Sequence, residues 1–121
     1  MTKKAVIFDF DNTLADSHKS NASAIKKNVK KLRKEDKKNN IVVLTARSDK
    51  DRDEVSGWLK KHDIKPDKLA MRPQGDTEPD VDVKKDLLKD VSRQFKVKKA
   101  YDDKSRNVKM YKKQGIKAKK V

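Results

Sequence analysis

The 121-residue chain contains no cysteine, only three glycines and few aromatic residues (5%). The absence of cysteine excludes disulfides, thiol catalysis and a zinc–thiolate site. Three glycines, at positions 57, 75 and 115, cannot form a Walker A phosphate-binding loop, which excludes a kinase of that type. The low aromatic content argues against base stacking as the main way of binding nucleic acid.

Long hydrophobic runs are also absent. No stretch approaches the roughly 18 consecutive apolar residues of a membrane helix, and the beginning lacks the apolar region of a signal peptide. We therefore expect no membrane partner and a cytoplasmic location. The length fits one domain, which we expect to cover residues 1–121.

Positive charge is what the chain has in excess. It carries 34 lysines and arginines against 19 acidic residues, and its formal net charge is +15. An excess of positive charge of this size suits binding to a polyanion such as nucleic acid. Only six of the cations are arginine, the better bidentate phosphate ligand, and compositional bias can also produce a lysine-rich surface. Charge alone therefore favours nucleic acid only modestly, and the origin of the lysine excess stays open.

The stretch from Ala5 to Leu14 joins a buried strand to two carboxylates. Four apolar residues, 5–8, predict a strand inside a parallel sheet. Because residues two apart in a strand point to the same side, Asp9 and Asp11 should project together from its carboxyl end, where open α/β sheets bind ligands. Two carboxylates this close need a cation or a shared proton, and Mg²⁺ prefers oxygen ligands. The alternative is an ordinary polar turn.

The rest of the chain alternates strand-like and helix-like segments. The predicted strands after the first cover 41–44, 69–71, 97–101 and 116–121, and the predicted helices cover 21–38, 50–62, 81–95 and 104–114. Asn21 or Ser23 could cap the first helix, and Gly115 lies where a glycine commonly ends a helix. This order predicts a three-layer, Rossmann-like α/β fold with a mainly parallel sheet and helices on both faces.

Three predicted strands end in polar residues, which a parallel sheet would bring to one edge. They are Asp9, Asp11 and Thr13 after the first strand, Thr45 and Arg47 after the second, and Asp102 and Asp103 after the fourth. Carboxylates, a hydroxyl and cations at one edge are what phosphoryl transfer through an aspartyl phosphate requires. One carboxylate attacks phosphorus, another moves the proton, and a metal offsets the charge.

These residues resemble the motifs of the haloacid dehalogenase-like (HAD) phosphohydrolases. Residues 9–14 look like the first motif, Thr45 like the second, Lys84 like the third, and Asp102-Asp103 with Asn107 like the fourth. Each motif is weak by itself, but all four occur in the family's order over nearly the whole chain.

The resemblance narrows to the phosphatase domain of bacteriophage polynucleotide kinase-phosphatases. Residues 71–77, which include Gln-Gly-Asp-Thr, are similar to that domain, and so are Asp80 and Val83. The segment 101–115 is similar as well. Since Gln-Gly-Asp-Thr is not a general feature of the HAD phosphatases, it is the more specific signal.

The resemblance implies a role for each site residue. Asp9 would be the nucleophile and Asp11 the general acid and base, while Thr45 and Lys84, preferred over the adjacent Lys85, would hold the transferring phosphoryl group. The implied cofactor is Mg²⁺, held by Asp9, the Asp11 backbone carbonyl and Asp102, while Asp103 would complete the metal site from beside these ligands or through a metal-bound water. The implied substrate-binding residues are Thr13, Arg47 and Arg72.

The chain departs from the phage pattern in three places. Asn12 replaces a glycine, and Thr45-Ala46-Arg47 replaces Ser-Gly-Arg. A further arginine of the phage loop falls near Ser20, where only His18 and Lys19 are available as cations.

Between the first motif and the second strand there is room for a loop and one helix, not for a cap domain. Such an open site suits a large substrate end, and we predict a Mg²⁺-dependent polynucleotide 3′-phosphatase that repairs DNA or RNA ends. A ligase or a separate kinase is the expected partner. The alternatives are a HAD phosphatase for nucleotides or other small phosphoesters, and a catalytically inactive HAD domain that binds nucleic acid.

Overall fold

The computed structural model describes residues 3–16 and 21–121, which contain five strands and four α-helices. The strands are β1 (Lys3–Phe8), β2 (Asn40–Ser48), β3 (Lys68–Arg72), β4 (Phe95–Asp102) and β5 (Lys117–Lys120). The helices are α1 (Lys26–Asp36), α2 (Arg52–Lys61), α3 (Asp80–Gln94) and α4 (Ser105–Lys113), and a 3₁₀ turn at Asp49–Asp51 precedes α2.

All five strands are parallel and lie in the order β3-β2-β1-β4-β5. The apolar run that predicted β1 forms the central strand, where Phe8 pairs with Val43 on one side and Tyr101 on the other. A strand covered on both faces is apolar at every position, which explains why residues 5–8 do not alternate with polar residues. The predicted α/β architecture is confirmed.

The helices cover the two faces of the sheet in pairs. Val6 and Phe8 pack with apolar residues of α1 and α2, whereas Ala5 and Ile7 pack with those of α3 and α4. Since successive strand residues point to opposite faces, the single run of β1 supports both core clusters. Because β1 lies between β2 and β4 and all three strands are parallel, their carboxyl ends lie side by side at one edge of the sheet.

Helix α1 begins later than the sequence predicts. Its N-terminal residue is flanked by Ile25, which makes no side-chain cap, so neither Asn21 nor Ser23 caps it. The segment before it makes tertiary contacts instead: Ala24 bridges Ala15, and Trp58 Nε1 donates a hydrogen bond to the Ala22 carbonyl at 2.8 Å. These long-range contacts hold the segment out of the helix.

The other boundaries differ by one to four residues. Strand β4 follows α3 without a connecting turn, because Phe95 already pairs with Lys3. The predicted last strand is present as edge strand β5, and Gly115, with φ of +82°, occupies the left-handed conformation expected after a helix.

Between β1 and β2, the described residues contain α1 as their one helix. Within residues 3–16 and 21–121, no helix combines the length and apolar character that crossing a membrane requires.

Candidate active site

The polar residues that end β1, β2 and β4 meet at one edge of the sheet, as the sequence predicts. They surround a cavity of about 190 Å³, whose walls include Asp9, Asp11, Thr45, Arg47, Lys84 and Asp103. The lysine comes from the second turn of α3, which follows β3 and crosses the sheet to reach β4. The cavity therefore combines side chains from four separate parts of the chain.

Lys84 joins the two buried carboxylates of the cavity. Its ammonium Nζ lies 2.7 Å from Asp9 Oδ1 and 2.6 Å from Asp102 Oδ2. All three residues are buried, with 3%, 5% and 1% of the surface of Lys84, Asp9 and Asp102 exposed. A buried ammonium with two charged acceptors is held in one position, since moving it would leave buried charges unpaired. The structure thus distinguishes Lys84 from the exposed Lys85.

Burial and charge shift the pKa values of this cluster. Burial raises the pKa of Asp9 to about 7, while the Lys84 ammonium opposes this increase and the Asp102 carboxylate adds to it. Burial disfavours the charged form of Lys84, but the attraction of Asp9 and the attraction and hydrogen bond of Asp102 act together against it, and the pKa of Lys84 is raised. Lys84 therefore stays protonated and supplies the positive charge that favours an ionised Asp9.

A tight turn after β1 positions Asp9. Thr13 is fully buried, and its Oγ1 donates a 2.9 Å hydrogen bond to Asp9 Oδ2. The Asn28 side chain of α1 in turn donates to the Thr13 carbonyl at 2.9 Å. This geometry favours a positioning role for Thr13 over the predicted substrate contact, because the hydroxyl is turned inward.

Asn12 gives this turn its shape. Its φ of +61° lies in the left-handed region, which glycine adopts readily and asparagine tolerates better than most residues. The replacement of the phage glycine by Asn12 is therefore compatible with the same turn.

Asp11 faces Arg47 across the mouth of the cavity. Arg47 Nη2 lies 2.7 Å from Asp11 Oδ1, and Nε donates to Oδ2 at 3.3 Å, which makes the pair bidentate. The guanidinium also lies 3.6 Å from Glu54 and 5.4 Å from the centre of the Phe10 ring. Arg47 thus lines the cavity as predicted, with its guanidinium directed at the second carboxylate of the first motif. A substrate contact for Arg47 stays a prediction.

Thr45 lines the cavity from the carboxyl-terminal half of β2. It is buried, and its Oγ1 accepts a 3.1 Å hydrogen bond from the Arg47 backbone N–H. Among residues 3–16 and 21–121 the hydroxyl proton has no acceptor, so it can donate to a bound oxygen, as phosphoryl binding requires.

Asp102 and Asp103 complete an acidic group with Asp9. Carboxylate oxygens of the three residues lie within 4.8 Å of one another. Asp102 is oriented through Oδ1, which accepts hydrogen bonds from the Lys104 backbone and the Asn107 side chain at 3.0 and 3.2 Å. Hard oxygen ligands at this spacing suit Mg²⁺.

Arg72 ties together the rim of the cavity. Its guanidinium donates to the carbonyls of Ala46, Asp76 and Glu78 at 2.7–2.9 Å, and to Asp80 Oδ1 at 2.6 Å. These bonds connect β2, the loop before α3 and the first residue of α3. Arg72 holds this loop in place, and its predicted contact with substrate is not tested by this arrangement.

Several residues around the cavity were not singled out by sequence reasoning as site residues. Asn28 and Glu54 lie on helices that lack a motif, and Lys104 and Asp80 line the cavity at the starts of α4 and α3. For Asn28 a signal existed, since it lies on the same helical face as Leu32, where a polar residue needs a partner. The predicted substitutes for the phage loop arginine, His18 and Lys19, lie outside the described residues.

Comparison with known families identifies one match over nearly the entire chain. The family described as polynucleotide kinase PNKP phosphatase domain matches residues 3–121. This match confirms the resemblance predicted from the motifs. No curated protein matches the sequence.

Solved structures share the fold. Two structures described as the Pnkp1/Rnl/Hen1 complex and the Pnkp1/Rnl/Hen1 RNA repair complex each match with a TM-score of 0.91 and 23% identity over 99% of this chain. The chain spans 46% and 42% of the length of the matched chains, which is less than half. A core domain from Streptococcus pneumoniae TIGR4, assigned as a phosphoglycolate phosphatase, matches with a TM-score of 0.56 and 18% identity over 98% of this chain and 79% of its own.

Proposed function

The chain belongs to the polynucleotide kinase PNKP phosphatase domain family, and on this premise we propose that it is a Mg²⁺-dependent polynucleotide 3′-phosphatase. One observation carries the proposal: Lys84 lies between Asp9 and Asp102 at 2.7 and 2.6 Å, inside a cavity that also contains Asp11 and Thr45. These are the groups that phosphoryl transfer through an aspartyl phosphate needs.

In the proposed reaction, an Asp9 oxygen attacks the phosphorus of the 3′-phosphate. The bond from phosphorus to the nucleoside 3′ oxygen breaks, and Asp11 gives that oxygen its proton. Lys84 and Thr45 hold the phosphoryl oxygens while charge redistributes over them. Water then attacks the phosphorus of the aspartyl phosphate, Asp11 takes up the proton, and Asp9 is regenerated with release of inorganic phosphate. The bidentate pair with Arg47 holds Asp11 at the mouth of the cavity, and one Asp11 oxygen must leave this pair to carry the proton.

The residues present fit a magnesium ion. Oxygens of Asp9, Asp102 and Asp103 lie close together, and Lys84 pairs with two of these three carboxylates, so a divalent cation would offset the remaining negative charge. Asp9, Asp102 and the Asp11 carbonyl would hold the ion, with Asp103 beside them. When bound, Mg²⁺ would offset negative charge between Asp9 and the phosphate.

We propose nucleic-acid end repair as the setting for this activity. The structures with the same fold include one described as an RNA repair complex, which favours RNA ends as the first substrates to test. A ligase or a separate kinase would act on the 3′ hydroxyl end or on the opposite 5′ end that must be joined to it.

Phosphate release from a 3′-phosphorylated oligonucleotide tests the proposal. We expect release with Mg²⁺, none after EDTA, and none from the 5′-phosphorylated isomer. Release from both isomers at equal rates would contradict the 3′ specificity, and equal kcat/KM on a 3′-mononucleotide would favour a phosphatase for small phosphoesters.

An Asp9→Asn variant isolates the nucleophile. Because the amide cannot form the aspartyl phosphate, we expect kcat to fall by about 10⁴-fold or more. The exposed Asp86→Asn variant is the matched control and should keep its activity. Substantial phosphate release by the Asp9→Asn variant would show that Asp9 is not the nucleophile.

A further inference from the structure

A groove between α3 and α4 leads away from the catalytic cavity. It has a volume of about 320 Å³, and its lining includes the cations Lys85, Arg106, Lys109 and Lys113, the acidic Asp82, and the apolar Val81 and Met110. Both helices begin at the carboxyl edge of the sheet, so the cavity and the groove share their N-terminal turns. Lys84 faces the cavity and its neighbour Lys85 faces the groove.

The cations of this groove are available to an external ligand. All four are exposed, and none forms an ion pair with any residue in the ranges 3–16 and 21–121. Helix α4 has no acidic residue at all. In a second basic depression, beside α1, the one arginine, Arg33, already donates hydrogen bonds to the carbonyls of His62 and Asp63.

Acidic residues cluster in the loop before α3 and on its first turns. Asp76 and Asp86, and also Asp82, lie near enough to Glu78 for repulsion to raise the pKa of its carboxyl group. In the groove itself, four cations outnumber the single acidic residue, Asp82. A polyanion that leaves the cavity is therefore repelled from the acidic loop and attracted to the groove cations.

The spacing on α4 suits consecutive phosphates. Arg106, Lys109 and Lys113 are three and four residues apart, so they lie on one face of the helix. From the first to the last, the rise along the helix is about 10 Å. Since successive phosphates of one strand in a duplex are about 3.4 Å apart along the axis, this distance corresponds to roughly three nucleotides.

We propose that the α3–α4 groove binds the sugar–phosphate backbone of the nucleotides on the 5′ side of the 3′-phosphate under attack. The inference rests on the proposed function for its orientation, with the 3′ end in the cavity. Contacts of this kind fix the position of the strand and read no bases, so the groove would accept many sequences. It would give longer substrates an advantage over mononucleotides.

A matched pair of triple variants tests the groove. Arg106→Gln/Lys109→Gln/Lys113→Gln removes three groove charges, and Lys60→Gln/Lys61→Gln/Lys65→Gln removes three exposed charges at the opposite edge of the sheet. Both variants have the same net charge, so any difference in their binding depends on where the removed charges lie. Urea unfolding of both variants verifies that each is folded.

Binding of a fluorescein-labelled, 3′-phosphorylated hexanucleotide is the first readout. We expect the groove variant to bind roughly 30- to 100-fold more weakly at 0.1 M salt. The plot of log K against log salt should become less steep by about 2, because each of the three lost phosphate contacts contributes about 0.7 to the slope. The control variant should bind within about threefold of the unmodified protein, since distant charges are screened. Equal weakening of both variants, or of neither, would overturn the proposal.

Phosphate release is the second readout. The groove variant should lose the advantage of the hexanucleotide over the 3′-mononucleotide in kcat/KM while its rate on the mononucleotide is unchanged. A retained length advantage would count against the groove. Should the unmodified protein release no phosphate from any substrate, the proposed function fails, and the binding readout still decides whether the groove holds the strand.

Discussion

Lys84 and Lys85 are adjacent in the sequence and lie in opposite environments. Lys84 is buried and bonded to two carboxylates, whereas Lys85 is exposed in the α3–α4 groove and forms no ion pair among the described residues. A buried ammonium keeps its position and is little affected by salt, while an exposed one is screened within about 10 Å at 0.1 M salt. The two lysines show how one residue type supplies a fixed charge inside the cavity and an adaptable charge along its exit.

Replacing each lysine by methionine should change the free energy of unfolding by very different amounts. The loss at Lys84 should be the largest change in stability predicted for this molecule. Lys84→Met leaves the Asp9 and Asp102 carboxylates buried without their cation, so we expect the free energy of unfolding to fall by about 3–5 kcal/mol. Lys85→Met should change it by less than about 0.5 kcal/mol. Urea unfolding at pH 8 with EDTA measures both values.

Catalytic activity should also fall much more in Lys84→Met than in Lys85→Met. Lys84→Met removes a group that contacts the phosphoryl oxygens in the proposed reaction, so its kcat on a mononucleotide should fall about 10²- to 10³-fold. Lys85→Met should keep that kcat. If the two variants lost activity equally, Lys84 would not have the special role that its burial indicates.

Thr13 offers a smaller change in the same buried cluster. Thr13→Val keeps the shape and removes the hydrogen bond to Asp9 Oδ2, so we expect kcat to fall about 10-fold, in proportion to a lost bond to a charged group of about 1.5 kcal/mol. Thr13→Ser keeps the hydroxyl and should restore most of the rate, with KM nearly constant throughout. A rise in KM with unchanged kcat would instead favour the substrate contact predicted from the sequence.

Tyr111 should give the smallest effect. Its hydroxyl is fully buried and has no hydrogen-bond partner among the described residues, and burial raises its pKa, so it stays neutral. Removing an unpaired buried hydroxyl is nearly neutral or stabilising, so Tyr111→Phe should shift the free energy of unfolding by less than about 1 kcal/mol. A larger loss in urea unfolding would reveal a partner for this hydroxyl.

The sequence predicted the sheet because its signals are local. The apolar runs of β1 and β2 mark buried strands, and the polar residues directly after them mark the edge that holds the cavity. The start of α1 could not be predicted in this way, because the residues before it are held by Ala15 and Trp58, which are distant in sequence.

In the candidate site, too, local sequence signals predicted some features, and contacts between distant residues determined others. The motif order identified Asp9, Lys84 and Asp102 as neighbours, and the structure brings them within hydrogen-bond distance. The pairing of Asp11 with Arg47, and the inward turn of Thr13, depend on side-chain directions that residue spacing does not specify. The groove along α4 likewise follows from the way two helices pack, not from a motif.

The bonds of Arg72 have a consequence for the entropy of substrate binding. One guanidinium joins β2 to the loop before α3 and to the first residue of that helix, through three carbonyls and a carboxylate. The loss of conformational freedom in this loop therefore occurs when the chain folds. A substrate that reaches the cavity meets a rim already ordered, and none of its binding energy is needed to immobilise it.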